Sequence, residues 1–356
     1  MSASPEQPRD DAFELSYRPL DGADTPAVLE LLTASLAGGP TGTRSADFFE
    51  WKHHRNPFGT SPGLVAVTPE GRIVGVRLFL RWEWRAVDRV VRAVRPVDTA
   101  THPDFQGRGI FRRLTTQLLE QVSSEAELVF NTPNGNSLPG YLRMGWQELG
   151  QVPVSLRIAR PLSFARGARA ALARRAAATG PVVCPLPTAA GWFGSGGSDG
   201  TPAGLDELLR ERAEADASDG RLAVARTEPY LRWRYGDAPG LDYRVMTCHR
   251  GGELAGVAFG RPRRRGPLVE FTLADVIVRP GDRRAAAELL RAAARSGGDH
   301  VATHLAAGTE AAAAALRSGY LRAPRTGMRL AARTPAGAVP PELGAWRFNL
   351  GDLEVF

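Results

Sequence analysis

Val97-Asp-Thr-Ala-Thr-His-Pro-Asp-Phe-Gln-Gly-Arg-Gly-Ile-Phe111 is an apolar strand pattern that runs into a glycine-rich turn. Arg112-Arg-Leu-Thr-Thr-Gln-Leu-Leu-Glu120 follows it, and the apolar residues at 110, 111, 114, 118, 119 and 122 fall on one face of a helix. A strand, a glycine turn and a helix N-terminus together bring backbone N–H groups onto one spot, which suits an anion such as a phosphate. Gly107 and Gly109 let the main chain approach a ligand without a Cβ in the way, and Arg108 adds charge at the rim. The spacing is neither that of the dinucleotide fingerprint nor that of the P-loop, whose Lys-Ser/Thr is missing.

The string Gln106-Gly-Arg-Gly-Ile-Phe111 resembles the pyrophosphate motif of the GCN5-related N-acetyltransferases (GNAT), Gln/Arg-x-x-Gly-x-Gly/Ala. Gln106 and Gly109 match, while Phe111 stands where a small residue is usual. Asn134-Gly-Asn-Ser137-Leu-Pro-Gly-Tyr141-Leu-Arg-Met-Gly145-Trp146 is similar to the same family's later helix, Asn-x-x-Ala-x-x-x-Tyr-x-x-x-Gly-aromatic, with Ser137 for the alanine. An apolar strand, Glu127-Leu-Val-Phe-Asn131, lies between the two motifs. The resemblance implies the acetyltransferase fold, an α/β (α+β) mixed sheet, over residues 12–160. It implies acetyl-CoA or another acyl-CoA as co-substrate. The pyrophosphate would lie on the turn of Gln106, Gly107, Arg108, Gly109, Ile110 and Phe111, with Asn134 and Ser137 beside it. Thr99, Ala100 and Thr101 would hold the pantetheine arm in sheet fashion, and the N–H near Ala100 would meet the thioester oxygen.

The remaining composition sets bounds. A chain of 356 residues is comfortable for two domains, each able to bury a core. The start, Met1-Ser-Ala-Ser-Pro-Glu-Gln-Pro-Arg-Asp-Asp11, has no apolar segment of a signal peptide, and no apolar run reaches the roughly 18 residues that span a bilayer. Two cysteines make neither a disulfide framework nor a zinc site, and a reducing cytoplasm fits them. The net charge of +7 points toward polyanions, but Lys52 is the only lysine among 45 cationic side chains, so much of the excess reads as drift toward arginine. Arg160–Arg175 and Arg261–Arg265 are local basic clusters, read as a solvated helix face and a hairpin turn.

The chain also echoes itself. Trp51, Gly59, Gly71, Val97 and Tyr141 open stretches that find counterparts at Trp233, Gly240, Gly252, Ala274 and Ala315, in order and at offsets of 174–182 residues. This predicts two tandem GNAT-like domains, 12–160 and 205–356, joined by a basic helix (161–179) and a Gly/Ser-rich linker (191–204). Each half should hold its own mixed sheet, with the acceptor cleft between them. The second copy has no Gly-x-Gly after Pro280, so only the first should hold the coenzyme.

Transfer of an acyl group from a thioester to an amine needs a bound donor, a deprotonated nucleophile, oxyanion stabilisation and a proton for the thiolate. Tyr141 is the candidate acid, since a tyrosine phenol with its ordinary pKa of about 10 is protonated at neutral pH. Candidate bases are Asp98, His102 and Glu83. The counterpart of Asp98 in the second half, Asp275, argues for a structural aspartate. The apolar tail Trp346–Phe356 should dock as a strand, which makes the terminal carboxylate of Phe356 a further candidate. His53 and His54 could line an acceptor pocket. No metal site is expected, because no histidine is paired with cysteine or carboxylate at ligand spacing. The expected activity is acyl-CoA-dependent N-acylation of a small-molecule amine. The alternatives are an aminoacyl-tRNA donor or a non-catalytic acyl-CoA-binding protein. No membrane partner is expected, and a monomer with pseudo-dimeric halves is favoured.

Overall fold

The computed structural model describes residues 14–35, 45–87, 89–173, 182–195 and 201–353. The first part of the chain forms β1 (Ser16–Pro19), α1 (Thr25–Ser35), α2 (Ala46–His53), β2 (Gly63–Val67), β3 (Ile73–Ala86) and β4 (Arg89–Thr101). There follow α3 (Ile110–Val122), β5 (Leu128–Asn131), α4 (Leu138–Arg143) and β6 (Gln147–Ile158). Then come α5 (Pro161–Leu172), α6 (Ala189–Gly194), α7 (Leu205–Ala217), α8 (Glu228–Leu231), β7 (Arg244–Arg250), β8 (Glu253–Arg265) and β9 (Leu268–Val278). The chain closes with α9 (Arg283–Ala293), β10 (His300–Thr303), α10 (Glu310–Ala315), β11 (Leu321–Arg333) and α11 (Leu350–Leu353).

Local chemistry accounts for the elements that position the site. Ser45 caps α2 by accepting from the Phe48 N–H at 3.1 Å. On α3 the apolar stripe read from the sequence buries Ile110, Leu114, Leu118, Leu119 and Val122. Ile110 sits so close to the sheet that a Cβ on Gly75 would meet its Cγ2 at 2.6 Å.

The sheet is mixed, as expected, but it is a single sheet of eleven strands in the order β1-β2-β3-β4-β5-β11-β6-β10-β9-β8-β7. From each edge inward the same pairings recur: β2-β3 and β7-β8 antiparallel, β3-β4 and β8-β9 antiparallel, β4-β5 and β9-β10 parallel. At the centre the strands trade places. β6 pairs with β10 (Ile158 opposite His300), and β11 pairs with β5 (Ala331 opposite Asn131). A separate sheet in each half is therefore not what forms: a cut at residue 160 leaves β6 paired across it. Trp51 and Trp233 knit the halves on one face. Each indole N–H donates to the other residue's carbonyl, at 2.7 and 2.9 Å, and the rings stack at 5.2 Å.

Two composition-based expectations need correction. The stretch read as a linker from 191 begins within α6, capped by Thr188, where Phe193 is buried and stacks on Phe259 at 6.0 Å. Two aromatic anchors outweigh the surrounding glycine and serine. The described part of the tail, residues 346–353, docks, but not as a strand. After one parallel bridge, Leu222 to Trp346, it turns into α11, because the Asp352 carboxylate accepts the Asn349 N–H at 2.8 Å and starts a helical turn.

A candidate acyl-donor cleft

The parallel pairing of β4 and β5 stops at Val94 and Val129, although β4 runs on to Thr101. Three features of β4 explain the divergence. Pro96 has no N–H to give to a ladder. Opposite Val76–Leu78 the register slips, so that Asp98 and Thr99 form a bulge. Asp98 takes a φ of 41°, a conformation that aspartate tolerates better than most residues. A cavity of about 930 Å³ opens in the gap. It reaches from Ile110, Phe111, Ser137 and Tyr141 on the α3–α4 side to Ser35 and Lys52 on the α1–α2 side.

Most residues expected at a donor site come together here. Thr99, Ala100, Thr101, Gln106, Gly107, Gly109, Ile110, Phe111, Asn134, Ser137, Tyr141 and Asp98 all line the cavity. Gly109 is the residue before α3 and has a φ of 77°, which glycine adopts without cost. No side chain among the described residues caps α3, and its first turn carries Arg112 and Arg113 but no acid, so its N-terminal N–H groups and dipole remain available to an anion. Arg108 is not among the lining residues, and its guanidinium lies over the Phe105 ring. Asn134 is committed to its own turn, accepting from the N–H groups of Asn136 and Ser137 at 3.1 and 2.9 Å.

The candidate bases separate. His102 closes the short turn after β4: its Nδ1 accepts from the Asp104 N–H at 3.3 Å, its Nε2 lies 2.6 Å from Arg72, and it is not at the cavity wall. Glu83 sits on β3 opposite Arg92, also off the cleft. Asp98 does face the cavity, but its Oδ2 holds Lys52 at 2.7 Å and His53 Nε2 at 2.9 Å, with all three side chains 1% exposed. His53 is thus a buried partner of Asp98 packed on Phe49, and His54 is an exposed residue at the end of α2; neither lines the cavity. Phe356 lies outside the described residues. Among the described residues no cluster of His, Cys, Asp or Glu could hold a metal ion, and no helix is long and apolar enough to cross a membrane.

Sequence reasoning missed four cleft cations: Lys52, Arg95, Arg112 and Arg143. For Lys52 the signal was present, since the only lysine in an arginine-rich chain marks a place where the two residues do not interchange. Arg95 could not be foreseen. Its guanidinium donates to the Asp352 carbonyl at 2.6 Å and to that of Leu353, joining β4 to the end of the chain.

The matching region of the second half is filled by its own side chains. The gap beside Val276–Val278 holds only about 50 Å³ between Arg212, Arg226 and Arg347. Asp282 caps α9 from within, accepting from the Ala285 N–H at 2.8 Å. The Gly281 N–H donates to Glu310 at 2.9 Å. Burial would raise that carboxyl, but the Gly281 N–H and Arg212 outweigh it and hold Glu310 below the usual range, as a resident anion.

Residues 16–149 match the family model of the acetyltransferase (GNAT) domain. No curated protein matches the sequence. Solved structures share the fold over 90% of this chain. A protein from Enterococcus faecalis described as a probable N-acyltransferase superimposes with a TM-score of 0.59 at 11% identity, over 72% of its own chain. A GCN5-related N-acetyltransferase from Anabaena variabilis gives 0.59 at 13% over 73%, and Eis1 from Mycobacterium abscessus 0.53 at 15% over 74%. At these identities the likeness is one of fold. With the motif match, the splayed strands and the uncapped helix in one cleft, residues 16–149 of this chain are a GNAT acetyltransferase domain.

Proposed function

We propose that the protein transfers an acyl group, acetyl in the first instance, from acyl-CoA to a primary amine of a small metabolite. The observation that carries this reading is the uncapped N-terminus of α3 opening into the β4/β5 gap, within a cleft lined by Arg112 and Arg143. The residues fit a coenzyme A donor. Gln106–Phe111 would hold the pyrophosphate, the strand end Thr99–Thr101 the pantetheine arm, and the N–H near Ala100, just after the bulge, the thioester oxygen. The chemistry then balances simply. The amine nitrogen bonds to the acyl carbon and the C–S bond breaks. The nitrogen gives up one proton to water, the sulfur takes one from Tyr141, whose phenol lines the cleft, and water returns a proton to the tyrosine after the thiol leaves. The donor site belongs to the first half, because the equivalent turn in the second holds Glu310.

Tyr141→Phe tests the assignment. General acid catalysis contributes about 10²–10⁴ in rate, so kcat should fall at least tenfold with little change in donor KM. A residual rate within about threefold of the parent would return Tyr141 to a packing role.

A second reading, with aminoacyl-tRNA as donor, has one observation in its favour. α5 packs through Gly167 on Leu268, which brings exposed Arg166 and Arg169 near the Arg263–Arg265 hairpin. Glu270 offsets part of that charge, pairing with Arg263 at 2.8 Å and Arg265 at 3.4 Å. Filter binding showing no salt-sensitive affinity for tRNA would remove this reading.

A further inference from the structure

Arg77 lies on β3 in the apolar run Ile73–Leu80 and is 1% exposed. A guanidinium cannot shed its charge, and burying one without compensation is costly. Among the described residues no carboxylate forms an ion pair with it. Its partners are two hydroxyls: Nη2 donates to Tyr141 Oη at 2.8 Å, and Nη1 donates to Thr99 Oγ1. Three rings surround its Cζ, Phe111 at 5.2 Å, Phe79 at 5.3 Å and Tyr141 at 5.4 Å. Both hydroxyls belong to the donor cleft, whereas Arg77 is not among its lining residues.

The geometry points to Arg77 as the residue that positions the acid; the inference rests on the acyl-transfer reading with Tyr141 as proton donor. A guanidinium has donors only, so the phenol oxygen must accept from it. With that side of the oxygen filled, the phenol's own hydrogen turns away from Arg77, toward the cleft that Tyr141 lines. The same guanidinium grips the β4 bulge through Thr99. One planar fork thereby fixes the acid on α4 relative to the strand segment that would hold the thioester. Phe111 takes a part that a small residue could not. Its ring meets Tyr141 edge-on, at 5.7 Å and 81°, and covers the guanidinium. The large residue at the family's small position and the buried arginine form one device.

A double-mutant cycle tests this, with kcat, donor KM, the pH–rate profile and the thermal transition measured for each variant. Arg77→Met keeps an unbranched side chain and removes the charge. It should lower kcat at least tenfold, leave donor KM within threefold and alter the alkaline limb of the profile. In the Tyr141→Phe background it should cost no more than a further threefold, because no proton remains to be aimed. Arg77→Lys retains a charged donor but not the fork, and its kcat should fall between parent and Arg77→Met. If Arg77→Met shows no cooperative thermal transition, Arg77→Lys carries the cycle with the same expected non-additivity. A loss of the same factor in both backgrounds, or a rise in donor KM that matches the fall in kcat, overturns the positioning role. If Tyr141→Phe alone runs at the parent rate, it is the acid assignment that has failed, and the proposal for Arg77 falls with it.

Discussion

Replacing either member of the Lys52–Asp98 pair should unmask how much the cleft depends on it. The two heads lie 2.7 Å apart with both side chains 1% exposed. At an effective dielectric of about 20 this separation is worth roughly 6 kcal/mol of gross attraction, and desolvation of the two ions offsets much of it. Removing one partner forfeits the attraction and leaves the other charge buried, an effect of about 3–5 kcal/mol. Lys52→Met and Asp98→Asn should each lower stability by that amount. Asparagine also tolerates the positive φ at 98, so the second variant tests charge rather than backbone strain. The double variant removes both charges together and should lose at least about 2 kcal/mol less than the sum. Urea unfolding followed by tryptophan fluorescence measures all four proteins, and Trp51 adjoins Lys52 in α2. Additivity within about 0.5 kcal/mol would refute the reasoning, since it would mean that the pair is not coupled.

Gly109→Ala should place a Cβ in open space but strain the φ of 77°, costing about 1–2 kcal/mol; donor KM should rise by up to about tenfold if the turn relaxes to escape it. An unchanged donor KM in steady-state kinetics would separate this turn from donor binding. Although burial raises the Glu270 carboxyl, the His300 hydrogen bond and the charges of Arg263 and Arg265 outweigh it and hold the group well below its usual range. A depressed folded pKa stabilises above the unfolded value of about 4.3 and is lost as pH falls through that region toward the folded pKa, so Glu270→Gln should lose stability at neutral pH and flatten the acid limb of a melting-temperature profile. An acid limb parallel to that of the parent would count against this. Burial holds His304 low, with its Nδ1–H donated to the Pro153 carbonyl; the unfolded chain therefore takes up a proton that the fold refuses, and stability should decline as pH drops below about 6.5. His304→Gln melting curves that keep the parent's slope between pH 5 and 7 would contradict it.

The glycine turn before α3 was legible in the sequence because it is local: two glycines, a helix stripe and a strand end define Gln106–Phe111 without reference to the rest of the chain. Tyr141 was singled out by the resemblance of Asn134–Trp146 to the family's later motif, which is also local, centred on α4. Strand exchange was not legible. Both β6 and β11 read as ordinary final strands, and which neighbour each takes depends on pairings as remote as Asn131 with Ala331. The histidines misled for a related reason. Helical periodicity places His53 on α2, but not that Asp98, 45 residues on, would claim its ring. Arg77 was hidden by its surroundings: one charge in an apolar strand gives no hint of two hydroxyl partners from other elements.

Titration calorimetry of the full chain with acetyl-CoA addresses the central claim most directly, because the proposed donor site rests on the uncapped N-terminus of α3 while the N-terminus of α9 is closed by Asp282 and Glu310. One saturable site per chain, weakened by added salt, is the expected result; no detectable binding at millimolar acetyl-CoA, or two equivalent sites per chain, would contradict the account.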